Sequence, residues 1–98
     1  METPRLYIVA YDISDPKRWR RVFKIMHGYG EWVQLSIFQC RLESKRHAEL
    51  ISLLEGIIHN QEDHILLIDL GNVDTVEPKV VSLGKASFEP IDLAPIII

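Results

Sequence analysis

The sequence predicts an α+β fold of the ferredoxin-like βαββαβ type, formed by one domain that spans residues 1–98. Apolar runs rich in β-branched and aromatic residues indicate strands, and two segments with apolar residues at i, i+3, i+4 and i+7 indicate helices. The predicted elements follow one another as strand, helix, strand, helix, strand, strand, and the ferredoxin-like fold is the best match to that order. Because two helices cover only one face of such a sheet, we expect a symmetric homodimer to cover the other face.

The first strand, Leu6 to Tyr11, leads almost directly into the first helix. Asp12 follows the strand, and a second carboxylate, Asp15, stands before Pro16, where the helix can begin. Asp15 fits the N-cap because its side chain can accept hydrogen bonds from the first turn, and Pro16 loses no hydrogen bond there. The apolar spacing predicts that this helix continues to about His27.

Asp12 is left without a role in capping, and the residues allow two interpretations of it. The helix that follows carries the basic residues Lys17, Arg18, Arg20, Arg21 and Lys24. Asp12 is therefore either a structural partner of one of these arginines or a metal ligand beside a phosphate-binding surface.

The rest of the chain supplies the remaining elements. Residues 31–42 are predicted as one continuous second strand, in which Phe38 is a core or interface residue and less often a base-stacking residue. Ser44 is expected to cap a second helix that runs to about His59. A third strand is predicted from His64 to Leu70, and a short fourth strand from Val80 to Leu83.

The C-terminal residues 91–98 form an unusually apolar tail. Ile91 and Leu93 alternate with less apolar residues, and Pro95 precedes three terminal isoleucines. Such a segment would aggregate if it were left in water, so we expect an extra C-terminal edge strand that pairs with its own sheet or with a partner.

Charge is distributed unevenly along the chain. The net charge is −3, yet residues 1–48 carry nine Lys/Arg against five Asp/Glu, whereas residues 49–98 carry two against nine. A basic face is therefore possible despite the acidic total, as expected for a protein that binds a phosphate backbone. A solvated helix face would produce the same run of charge.

Several function classes find no support in the composition. Cys40 is the only cysteine, so it cannot form an intrachain disulfide, and we interpret it as a buried thiol. The histidines, His27, His47, His59 and His64, lack the spacing of a zinc site and are interpreted as surface or helix-end residues. Without a signal peptide or a membrane-length apolar segment, we expect a cytoplasmic protein with no membrane partner.

Four motifs together resemble the small CRISPR-associated adaptation protein family, the ferredoxin-like partner of the CRISPR integrase in antiviral defence. They are Tyr11-Asp12-Ile13-Ser14-Asp15, then Lys17-Arg18 with Arg21-Val22, then Tyr29-Gly30, then Gln34-Leu35-Ser36-Ile37-Phe38-Gln39-Cys40. They occur in the family's order and with close to its spacing, and they cover about the first forty residues.

The resemblance implies a homodimer in which Asp12 of each subunit approaches the two-fold axis and the pair holds one Mg²⁺ ion. It implies an endonuclease acting on single-stranded RNA or double-stranded DNA, with Asp12 as the catalytic residue and metal ligand. The other implied residues are Lys17, Arg18, Arg20 and Arg21 on phosphate, Tyr11 and Ser14 beside the site, and Phe38 near the site or the dimer face.

The chain departs from the family pattern at three positions. Trp19 and Trp32 stand where relatives often carry arginine, and Gln39 stands where they often carry glutamate. The alternative function is a scaffold that bridges two integrase dimers and binds the duplex spacer precursor without any chemistry of its own. A dimer that binds a small metabolite is a third possibility, but the sequence has no glycine-rich ligand loop to support it.

Overall fold

The computed structural model describes residues 2–84, and the predicted tail strand at residues 91–98 lies outside them. The described chain contains, in order, β1 (Arg5–Asp12), α1 (Pro16–His27), β2 (Glu31–Gln34), β3 (Ile37–Leu42), α2 (Ser44–Glu55) and β4 (His64–Asn72). This order confirms the predicted βαββαβ architecture. Neither described helix is long and apolar enough to cross a bilayer.

The four strands form one sheet in the order β2-β3-β1-β4, and every neighbouring pair is antiparallel. In the central strand β1, Val9 lies opposite Phe38 on one side and Leu67 on the other. Since side chains alternate along a strand, Tyr7, Val9 and Tyr11 face the helices. Ile8, Ala10 and Asp12 therefore lie on the opposite face, which we call the open face.

The core lies between the sheet and the two helices. Helix α1 contributes Val22 and Met26, and helix α2 contributes Leu50 and Leu54. Cys40 on β3 is almost completely buried there, and burial raises the pKa of its thiol to about 12. This burial confirms the interpretation of Cys40 as a buried thiol.

The prediction of one continuous strand over residues 31–42 is wrong. The segment is a hairpin in which Leu35 and Ser36 form a two-residue turn between β2 and β3. Leu35 has a φ of 45°, in the left-handed region that the first loop residue of such hairpins requires. The sequence does not indicate this turn, because Leu35 and Ser36 continue the apolar–polar alternation of a strand and neither residue type commonly adopts a positive φ.

Three further predicted boundaries also differ from the structure. Ser44 is the first residue of α2 rather than its cap, and its backbone N–H and hydroxyl both donate to the carboxylate of Glu2. Helix α2 ends at Glu55, four residues before the predicted end, because the chain turns at Gly56. Residues 80–83 do not form a strand within the described chain.

Candidate metal and nucleic-acid site

Asp12 ends β1 on the open face, where its side chain is exposed. Within residues 2–84 its carboxylate forms no ion pair or hydrogen bond, so the interpretation of Asp12 as an arginine partner is wrong. The carboxylate is therefore available to a ligand or to another molecule.

Asp63 takes the structural role instead, in the loop before β4. Its side chain is fully buried and accepts a hydrogen bond of 2.7 Å from Nε of Arg18, while Nη2 of Arg18 reaches Glu62 at 3.0 Å. Mainly because Arg18 donates to it, the pKa of Asp63 is well below its usual range, and the same contact raises the pKa of Arg18. The Arg18 guanidinium is therefore occupied by protein carboxylates.

The same carboxylate also orders the segment after Asp12. Asp63 accepts from the backbone N–H of Ser14 at 3.1 Å and from the backbone N–H of His59 at 2.8 Å. Asp15 then accepts from the N–H groups of residues 17 and 18 at 3.0 and 2.9 Å, which confirms it as the N-cap of α1. Fixed hydrogen bonds thus hold the chain from Ser14 to the start of α1.

The remaining basic residues of α1 form an exposed stripe. It consists of Lys17, Arg20, Arg21 and Lys24, whose spacing of three and four residues places them on one side of the helix. Within the described chain, none of these four side chains forms an ion pair or a hydrogen bond. This basic stripe is therefore free to contact an anion, whereas Arg18 is not.

Two residues predicted near the site lie beneath it in the core. Phe38 has no exposed surface, and its ring stacks near that of Tyr11 with 6.2 Å between centroids. Burial raises the pKa of Tyr11 to about 12, an effect that the nearby Ser36 hydroxyl partly offsets. Among the described residues the Tyr11 hydroxyl nevertheless has no hydrogen-bond partner.

His64 is a neighbour of Asp12 that the sequence did not reveal. It is the first residue of β4 and lies directly opposite Asp12 in the strand register, so both side chains project from the open face. The sequence alone indicates only a surface histidine, because positions 12 and 64 come together through the pairing of β1 with β4. The register of those two strands is the signal that identifies it.

A single chain does not assemble a complete metal centre from the described residues. Residues 2–84 contain no group of three or more His, Cys, Asp or Glu side chains placed to hold a metal ion. Mg²⁺ is commonly held by one or two protein carboxylates together with water and phosphate oxygens. Asp12 therefore fits such an ion as one of its ligands, together with water and phosphate oxygens.

Comparison with known proteins yields consistent matches. The family model "CRISPR associated protein Cas2" matches residues 5–76. A protein of Rhodospirillum rubrum named CRISPR-associated endoribonuclease Cas2 1 is 55% identical over 92 residues, covering 94% of this chain and 89% of its own. A Geobacter sulfurreducens protein named CRISPR-associated endoribonuclease Cas2 is 52% identical over 86 residues, covering 88% and 90%.

Solved structures agree with these sequence matches. The crystal structure of Streptococcus pyogenes Cas2 superposes with a TM-score of 0.71 at 31% identity, covering 81% of this chain and 99% of that one. A hypothetical protein of Thermus thermophilus superposes with a TM-score of 0.72 at 32% identity, covering 84% and 93%. The similarity therefore extends over nearly the whole length of each structure.

Proposed function

The chain belongs to the CRISPR-associated protein Cas2 family, and on that premise we propose that it is a homodimeric, Mg²⁺-dependent endonuclease of CRISPR adaptation. Its substrate is single-stranded RNA or double-stranded DNA, and Asp12 is the catalytic carboxylate. The observation that carries the proposal is the exposed, unpaired Asp12 at the end of β1, at the turn that leads into the basic helix α1. The endoribonuclease names of the two relatives support the same activity.

The open face supports the homodimer. Leu66 and Ile68 on β4 are 48% and 45% exposed, and they lie opposite Ala10 and Ile8 of β1. An apolar sheet surface of this kind is normally covered by another surface, and a second copy offers a matching one. Because Asp12 projects from the same face, such a dimer brings two Asp12 carboxylates together when its two-fold axis passes near the end of β1.

The proposed Mg²⁺ site consists of Asp12 from each subunit, completed by water and substrate phosphate. When bound, Mg²⁺ supplies positive charge to the reacting phosphate and lowers the pKa of coordinated water. The chain's own contribution is to hold Asp12 at a defined position, since hydrogen bonds from Ser14 to Asp63 order the turn that follows it. Arg18 acts there as a positioning residue through Asp63.

The exposed stripe on α1 is the proposed phosphate contact. Lys17, Arg20 and Arg21 stand free in the described chain and can each meet a backbone phosphate. Association with the CRISPR integrase belongs to the same proposal, with residues 91–98 as the segment that adds a strand to it. That segment lies outside the described residues.

The second candidate is the scaffold that bridges integrase dimers and binds the duplex spacer precursor without cutting it. The observation that favours it is the basic stripe itself, four exposed cations that can bind a phosphate backbone without any metal. Binding and cleavage therefore have to be measured separately.

The deciding experiment compares cleavage of end-labelled single-stranded RNA and double-stranded DNA, with Mg²⁺ or with EDTA. The wild type is measured beside Asp12→Asn and the control Asp74→Asn, which makes the same change at an exposed aspartate in the turn after β4. We expect Mg²⁺-dependent cleavage that Asp12→Asn lowers by about 100-fold or more while Asp74→Asn retains it.

Size-exclusion chromatography should give the same dimer for all three proteins. Cleavage that survives in Asp12→Asn would exclude Asp12 as the catalytic residue. Duplex binding without cleavage by any of the proteins would establish the scaffold.

A further inference from the structure

Trp32 is a large aromatic side chain that the fold leaves half in solvent. It lies on β2, an edge strand among the four described strands, opposite Phe38 and on the side of the sheet that the helices cover. Its ring packs edge-on against Phe23 of α1 with 6.4 Å between centroids, yet the side chain remains 52% exposed. Phe23 in turn stacks on Trp19 at 4.9 Å. An aromatic row therefore runs from α1 to the surface at this edge.

The orientation of the Trp32 ring is fixed from within the protein. Its indole N–H donates a hydrogen bond of 2.8 Å to the carbonyl of Leu35 in the hairpin turn. Leu35 adopts the positive φ of that turn, and its own side chain is 76% exposed. The only polar group of the indole is therefore already hydrogen-bonded within the protein. The exposed part of the ring is an apolar surface that this bond holds in one orientation.

Positive charge flanks this surface. Phe23, against which Trp32 packs, has Arg20 three residues before it, a spacing that places these two residues side by side on α1. Arg20 therefore borders the Trp32 side of α1, and it belongs to the basic stripe together with Lys24, four residues further along the helix. Exposed aromatic rings beside cations complement single-stranded nucleic acid, because the ring stacks on a base while the cations bind the flanking phosphates.

We propose that Trp32 is a stacking platform for an unpaired nucleobase of single-stranded nucleic acid whose phosphates lie on the basic stripe. This inference rests on the proposed nucleic-acid function and extends it to a defined base contact. A duplex keeps its bases stacked internally, so the platform distinguishes unpaired from paired substrate. Since the indole has no free donor, the contact accepts any base.

The test uses a fluorescently labelled short single-stranded RNA, the same backbone with abasic residues, and a duplex DNA of equal length. Direct binding is measured for the wild type, Trp32→Ala and Trp32→Phe, with Leu53→Ala as a control that truncates an exposed apolar residue of α2. We expect Trp32→Ala to weaken binding of the single-stranded RNA by about 5- to 150-fold. Binding of the abasic strand and the duplex should change less than about twofold. Trp32→Phe should retain most of the affinity, and Leu53→Ala all of it.

Fluorescence gives a readout that a purely structural role of Trp32 would not change. The chain has two tryptophans, so Trp19→Phe leaves Trp32 as the only indole emitter. Saturating single-stranded RNA should quench this emission, whereas the abasic strand should leave it nearly unchanged. Absence of quenching by the RNA would overturn the proposal.

The outcomes also separate this proposal from the one on which it rests. The reference is Arg20→Gln/Arg21→Gln, which removes two charges of the basic stripe. If that variant weakens binding while Trp32→Ala binds single-stranded RNA as the wild type does, the platform is refuted and the nucleic-acid function stands. If the wild type binds none of the probes, both proposals fail. An equal loss of RNA and duplex binding in Trp32→Ala, or a change only in its subunit assembly, would also overturn the platform.

Discussion

Removing the hydroxyl of Tyr11 should stabilise the protein without affecting cleavage. The Tyr11 side chain is only 6% exposed, and its hydroxyl is fully buried with no hydrogen-bond partner among the described residues. The substitution Tyr11→Phe removes this oxygen and keeps the ring that packs near Phe38 at 6.2 Å and Trp19 at 6.4 Å. Tyr11 also faces the helices, whereas the next residue, Asp12, lies on the open face.

The magnitude follows from the burial of the hydroxyl. A buried polar group without a partner costs about 1–3 kcal/mol, because it gives up its hydrogen bonds to water and gains none in the protein. We expect Tyr11→Phe to recover about 1 kcal/mol, the lower end of that range, because the nearby Ser36 hydroxyl partly offsets the effect of burial on the Tyr11 phenol. For a domain of this size, that gain raises the melting temperature by about 4–8 °C.

The assay is urea and thermal unfolding followed by circular dichroism, at equal protein concentrations because a dimer's stability depends on concentration. Tyr7→Phe is the matched control. Tyr7 is a buried tyrosine of the same strand, but its hydroxyl does not combine full burial with the lack of a hydrogen-bond partner, as that of Tyr11 does. This control should leave the free energy of unfolding nearly unchanged.

Two results would contradict the reasoning. A lower free energy of unfolding in Tyr11→Phe would mean that the hydroxyl has a hydrogen-bond partner in the native protein. Loss of cleavage in a stably folded Tyr11→Phe would mean that the phenol takes part in the reaction.

Two further substitutions test the packing around the site. The folded-state pKa of Asp63 is lowered, so its charge stabilises the protein above the usual aspartate pKa of about 3.9 and loses this effect as the pH falls through the folded-state value. Asp63→Asn should therefore have a lower free energy of unfolding than the wild type at neutral pH. Urea unfolding followed by circular dichroism should show this difference in free energy becoming smaller as the pH is lowered. A difference that does not change with pH would contradict the link between stability and the Asp63 charge. Gly30→Ala should lower the free energy of unfolding by about 1–3 kcal/mol in urea, because the added Cβ would collide with Sγ of Cys40 and lie 2.6 Å from the carbonyl oxygen of Gln39. Gly56→Ala, whose Cβ meets nothing closer than 3.5 Å, is the control, and equal effects of the two substitutions would contradict the steric argument.

The features that the sequence predicted correctly depend on residues close together along the chain. Asp15 and Pro16 mark the start of α1, and the apolar spacing within that helix identifies the residues that enter the core. The positions of β1, the two helices and β4 follow from the same local patterns, whereas the hairpin of β2 and β3 does not. The sequence also marks Asp12 as a strand-end carboxylate, although the residues alone leave its role open.

The tertiary structure decided which distant residues meet, because an alternating pattern does not encode the partner strand or its register. Arg18 reaches Asp63 across 45 positions, so an arginine that the resemblance assigns to phosphate also links α1 to the loop before β4. His64 joins Asp12 on the open face only through the pairing of β1 with β4. The backbone of Leu35 likewise turns where the sequence suggests a continuous strand, because the hairpin must bring β3 back alongside β2.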